Sequence, residues 1–181
     1  MKKIILIFLS VFFFIFISCR KENKKKLIDS NQNAEIIQNE LATALSKLFN
    51  ERNPNKYFVV GSWKKQKLES HFRYIGKVTN SKNEIINIVT QTKYEGEISR
   101  RAINSIMVWQ DENKYIGFYH ISIKDDLPNK MENGILYFEN VNNNCDKKIT
   151  TKINFNKEIP QKIFRKCKDG YGDLYEFQID E

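Results

Sequence analysis

Two histidines, His71 and His120, are the only imidazoles in this 181-residue chain, and an imidazole beside a carboxylate or hydroxyl is the commonest acid–base device. His71 has the opposite parity to Phe72 and Tyr74, which puts it on the polar face of an alternating strand. His120 sits in Tyr119-His120-Ile121, whose faces the pattern does not assign. Neither has a histidine, cysteine or carboxylate neighbour at a metal-ligand spacing, so satisfied or solvent-facing roles are expected, and no metal. Ser62, Ser70, Ser105 and Ser122 lack the G-x-S-x-G turn that exposes a nucleophile. Asp125-Asp126, ahead of Leu127-Pro128-Asn129, reads as turn chemistry without the further spaced oxygens of a calcium loop. Glu95 and Glu97 flank Gly96 and read as solvated loop charges. Paired-carboxylate chemistry there needs a partner brought in by tertiary structure. No Gly-rich phosphate loop occurs. The expectation is a non-catalytic protein with no cofactor.

The cysteines carry more. Lys2 and Lys3 precede an uncharged run from Ile4 to Ile17 broken only by Ser10, and Phe16-Ile17-Ser18-Cys19 closes it. A basic start, a short apolar core and a small residue before the cut make a secretory signal. The run is shorter than the roughly 20 residues a bilayer span needs. With cysteine directly after Ser18, the segment resembles a bacterial lipoprotein signal, departing from it in having Phe16 where leucine or valine is usual. That resemblance implies diacylation of Cys19, cleavage before it and membrane anchoring without spanning. Arg20 in place of the aspartate that retains lipoproteins at the inner membrane points to an outer-membrane destination, periplasmic or at the cell surface. Cys19-Arg20-Lys21-Glu22 is also similar to the surface-export tether of Bacteroidota lipoproteins. The resulting division is a signal peptide over 1–18, a lipidated basic tether over 19–29 and one domain over 30–181.

A net charge of +8 suggests nucleic acid, but its distribution argues otherwise. Cleavage removes Lys2 and Lys3, leaving +6, and Arg20, Lys21, Lys24, Lys25 and Lys26 against Glu22 hold +4 of that in the tether. The remaining +2 is too little to mark a phosphate-binding face, so no nucleic acid is expected. Lys24 to Lys26 suit either anionic headgroups or a solvated spacer.

Several elements must position any site. Ala34, Ile37, Leu41, Ala44, Leu45 and Leu48 recur at spacings of three and four, predicting an amphipathic helix over 30–50 that stops before Asn53-Pro54. Ser30, Asn31 and Asn33 offer N-cap oxygens. Beyond Pro54, period-two alternation predicts strands near 57–64, 70–79, 84–94, 102–110, 114–123, 134–140, 147–155, 161–167 and 173–179. No stretch between them is long enough for a βαβ crossover, so the fold class is mainly β: an antiparallel meander closed into a barrel or folded as a sandwich.

Gly61-Ser62-Trp63, on an early strand after a helix, resembles the GxW signature of lipocalins. The family's second and third motifs are not recognisable, and Arg165 is only a loose candidate for the late arginine that packs on its tryptophan. The resemblance implies a barrel holding an apolar or amphipathic small molecule. The candidate lining residues are Trp63, Phe72, Tyr74, Met107, Trp109, Tyr119 and Phe138, aromatic or soft side chains on strands. An accessory lipoprotein docked on an envelope protein is the alternative, and an envelope hydrolase using His71 or His120 the third. Cys145 and Cys167, an even pair in an exported chain, predict one disulfide. A hairpin of 147–155 with 161–167 centred on Asn156 would set them face to face, with Ile149 opposite Ile163 and Ile153 opposite Ile159.

Overall fold

A computed structural model describes residues 36–112 and 114–179. Cys19, the signal, the tether and the N-cap candidates lie outside the described residues. The chain divides into two compact units, Met1–Glu40 and Leu41–Glu181; of the first, residues 36–40 are described and are helical.

Helix α1 covers 36–51 and ends with Arg52 in the left-handed region, two residues ahead of Pro54. In its last turn Leu48 and Phe49 are buried, whereas Leu41, Ala44 and Leu45 are half-buried. The strands then follow: β1 Tyr57–Ser62, β2 Leu68–Thr79, β3 Ile85–Glu95, β4 Arg101–Gln110 and β5 Lys114–Ile121. A four-residue helix, α2 (Trp63–Gln66), turns the chain between β1 and β2. After a 3-10 turn at Lys124–Asp126 come β6 Lys130–Glu132, β7 Ile135–Glu139, β8 Thr150–Asn154, β9 Lys162–Lys168 and β10 Tyr171–Gln178.

β1 to β5 form an antiparallel meander, as alternation with short turns requires. The chain then leaves the sheet. β6, β7 and β8 make a separate three-stranded sheet, and β10 returns beside β5 with β9 outside it, giving the order β1-β2-β3-β4-β5-β10-β9. Both sheets are open among the described residues, and neither closes into a barrel. The expected hairpin of 147–155 with 161–167 is absent, because β8 pairs with β7 and β9 with β10. Pairing β8 with β7 sets Ile153 opposite the fully buried Leu136, burial that the local hairpin would forgo.

One core is built by both sheets. Ile86, Ile88, Ile106, Val108, Tyr119 and Ile121 on the large sheet meet Leu136 and Phe138 of β7, with Phe155, Ile163 and Tyr175. Two glycines permit the approach. A Cβ on Gly76 would lie 2.8 Å from Met131 Cβ of β6, and one on Gly117 would lie 2.2 Å from the carbonyl oxygen of Gln178 on the returning β10. A bulge between Tyr74 and Gly76 lets Tyr74 and Ile75, adjacent in sequence, both be buried.

Candidate functional site

Strand parity sends Trp109 to the face of the large sheet opposite the shared core. The cross-strand pairs Tyr74 with Val89, Val89 with Met107 and Asn87 with Trp109 define that face. Helix α1 covers part of it: the Phe49 ring meets Trp109 edge-on at 5.5 Å and Tyr74 at 6.4 Å, and Trp109 in turn lies 5.2 Å from Tyr115. Beside these rings opens a cleft of about 260 Å³, walled by Ala42, Leu45, Ser46, Phe49, Asn50, Trp109 and Glu112. Among the described residues the buried Trp109 indole N–H meets no acceptor, a cost of about 1–3 kcal/mol for a donor taken out of water. At the rim Arg52 ion-pairs with Glu112. Glu112 also borders a second cleft of about 210 Å³ lined by Arg52, Lys77, Ile85, Asn87 and Asp111. Between them the buried Tyr74 hydroxyl donates to Asn87 Oδ1 at 3.1 Å, and burial pushes that hydroxyl's pKa up. Walls that mix Leu45, Phe49 and Trp109 with Ser46 and Asn50, meeting a charged rim, suit an amphipathic molecule.

Of the seven side chains expected to line a cavity, Phe72, Tyr74, Met107 and Trp109 share this outer face. Tyr119 and Phe138 are instead fully packed in the core between the sheets, where the Tyr119 hydroxyl donates to the Pro160 carbonyl. Trp63 begins α2 and donates its indole N–H to the Gly96 carbonyl at 2.9 Å. Sequence reading missed Leu45, Phe49 and Glu112 as cleft residues. Phe49 follows Leu45 by four, so the helical stripe itself carried the signal.

The histidines part company. His120 is exposed, paired in register with Ser105. His71 bonds through Nε2 to Glu69 Oε1 at 2.7 Å; Glu69 lies two residues earlier and therefore on the same strand face. Glu69 also accepts from Arg100 Nη2 at 2.7 Å and from the Trp63 backbone N–H at 3.3 Å. The His71 hydrogen bond, with the Trp63 N–H and the Arg100 charge behind it, holds the Glu69 carboxyl below the usual carboxylate range. Its contribution to stability is present above the ordinary carboxylate pKa and lost as pH falls through the lowered value. Neither cleft is lined by His71 or Glu69. Among the described residues no three His, Cys, Asp or Glu side chains gather to hold a metal.

Asp126, read from sequence as a turn residue, is buried 2.9 Å from Nη1 of the equally buried Arg165. Its other oxygen accepts from the Tyr175 hydroxyl at 3.0 Å. The Arg165–Asp126 contact is ionic rather than an aligned hydrogen bond, and Arg165 Nε and Nη2 meet no acceptor among the described residues. Arg165 packs here, while the cation over the Trp63 ring is Lys67.

Cys145 and Cys167 form a disulfide, joining the loop before β8 to the edge strand β9. The link spans the two sheets, with Asp146 N–H donating to the Cys167 carbonyl at 3.0 Å and Lys166 N–H to Thr151 Oγ1 at 2.9 Å. Buried Asn140 holds its amide nitrogen 3.0–3.1 Å from the carbonyl oxygens of Asp146, Lys166 and Cys167, its two N–H groups shared among the three acceptors. Among known protein families, curated proteins and solved structures, the chain matches none.

Proposed function

We propose that this is a lipid-anchored protein of the bacterial cell envelope, at the outer membrane, that works by binding and not by catalysis. Its ligand is a small apolar or amphipathic molecule, held in the cleft between α1 and β4. The observation that carries this reading is where open space lies relative to aromatic side chains. Tyr119 and Phe138 fill the space between the sheets at 0% and 1% exposure, whereas Phe49 and Trp109 border an open cleft. The space between the two sheets is then occupied by side chains, with binding moved to the outer face of the large sheet. A cleft of about 260 Å³ falls just below the common range for ligand pockets, which restricts the ligand to a small one.

Two outcomes follow. Native mass spectrometry of the protein extracted from its own envelope is expected to show a co-purifying small mass, and Trp109→Ala to lower its occupancy at least tenfold. Retention of that mass in the Trp109 variant would move the site elsewhere. Cys19→Ala is expected to abolish labelling by a fatty-acid probe; unchanged labelling would remove the anchor.

An accessory protein docked on an envelope partner is the second reading, favoured by the position of β1 at one end of the large sheet. Among the described residues β1 pairs with β2 alone, and Tyr57 and Val59 are half-exposed on it, a surface for a partner. It predicts a bare mass in the same experiment and crosslinks from β1 to a neighbour.

A further inference from the structure

The end of the large sheet formed by α2 and the β3–β4 hairpin differs in chemistry from the opposite end. At its apex Ile98 is 97% exposed, the most exposed large apolar residue described. The segments that form this end, α2 and the adjoining ends of β2, β3 and β4, carry Lys64, Lys65, Lys67, Lys93, Arg100 and Arg101 against Glu69, Glu95 and Glu97. Two of those three carboxylates are already engaged, Glu69 by His71 and Arg100 and Glu95 by Lys93 at 2.7 Å. Lys64, Lys65 and Arg101 are exposed and enter no ion pair among the described residues. The two turns at the other end carry Lys82 and Lys114 against Glu84, Asp111 and Glu112.

Two aromatic rings sit below the cations. The Lys67 ammonium lies 4.9 Å over the partly exposed Trp63 ring, and the Arg100 guanidinium stacks 3.7 Å over Tyr94. The Trp63 indole bond to Gly96 joins α2 to the hairpin, so the helix lysines and Ile98 are presented as one unit. An apolar apex, amphipathic Trp and Tyr behind it and a collar of Lys and Arg form the layered order that a membrane–water interface selects.

We propose that this tip docks on the surface of an anionic phospholipid bilayer, with Ile98 entering the headgroup boundary and the lysine and arginine collar meeting lipid phosphates. The proposal draws on the lipid-anchor reading for its occupant: an acylated Cys19 keeps the domain beside a membrane. The excess positive charge of the tip selects an anionic lipid over a zwitterionic one.

The test uses the mature chain carrying Cys19→Ala, so that no acyl group contributes, and vesicles of phosphatidylglycerol with phosphatidylcholine, against phosphatidylcholine alone. Co-sedimentation is expected with the anionic vesicles, weakening with salt. Lys64→Ala with Lys65→Ala should lower partitioning roughly thirtyfold, and Ile98→Ser by roughly tenfold. These side chains are exposed, so melting temperatures should stay unchanged. Lys162→Ala with Lys166→Ala, on the exposed side of β9, should leave binding intact. Trp63 emission in a Trp109→Phe background should be quenched by brominated anionic lipid. Equal binding to neutral vesicles, or binding indifferent to the tip substitutions, would overturn the proposal, the latter assigning membrane affinity to the basic tether. So would equal losses from the tip and β9 variants. Because acylation is tested separately by fatty-acid labelling at Cys19, loss of the anchor and loss of the tip contact are told apart.

Discussion

Replacing Arg165 with methionine is expected to lower the unfolding free energy by about 3–5 kcal/mol at neutral pH, the cost of leaving a buried carboxylate without its counter-charge. Methionine fills much of the arginine volume, so the loss is chiefly electrostatic rather than a cavity effect. Asp126 is the group left behind, with the Tyr175 hydroxyl as its remaining donor. Burial already pushes the Asp126 carboxyl above the ordinary range, against the pull of the Arg165 charge and the Tyr175 hydrogen bond. Without Arg165 it rises further. A carboxyl whose folded-state pKa lies above its unfolded value contributes its stability below the unfolded pKa, and loses it as pH rises through the folded value. The gap between wild type and Arg165→Met should therefore narrow as pH falls from neutral toward the ordinary aspartate range. Adding Asp126→Asn to the arginine variant should recover part of the loss at neutral pH, since a neutral amide needs no cation. Urea melts at several pH values measure both effects. A gap constant with pH, together with no rescue by Asp126→Asn, would show that Arg165 acts through packing alone.

Replacing both Cys145 and Cys167 with serine is expected to cost about 3 kcal/mol, the loop-closure value for cysteines 22 residues apart. For a domain of this size that is a fall in melting temperature of about 10 °C. The effect should also be local. The disulfide joins the loop ahead of β8 to β9, which belongs to the other sheet. Hydrogen exchange should therefore rise first at Asp146 and Lys166, whose N–H groups bond across that junction. Exchange that rises uniformly, or a melting temperature unmoved by reduction, would contradict this assignment.

Much of the local structure was legible because local physics sets it. Alternation in β2 to β5 and in β9 and β10 places strands within two residues of their observed bounds. The 3-4 spacing of Leu41, Leu45 and Leu48 places the helix that docks through Leu48. The three-residue β6 was missed, being too short to show a period. The disulfide followed from the even pair Cys145 and Cys167, but the hairpin invoked to bring them together does not form. The sulfurs meet because β9 runs beside the loop before β8, across two sheets.

By itself, the order of residues determined one helix, a succession of antiparallel strands and a cysteine pair, since each is written in spacing or composition over a few residues. Tertiary structure alone decided that β10 inserts beside β5 and that β6 to β8 form a second sheet. It also decided that Tyr119 fills the core while Trp109 borders an open cleft, and that Asp126 lies buried against Arg165. Those outcomes depend on which distant faces bury one another, and such burial is settled by competition among all strands at once, leaving no period in the sequence of any one of them.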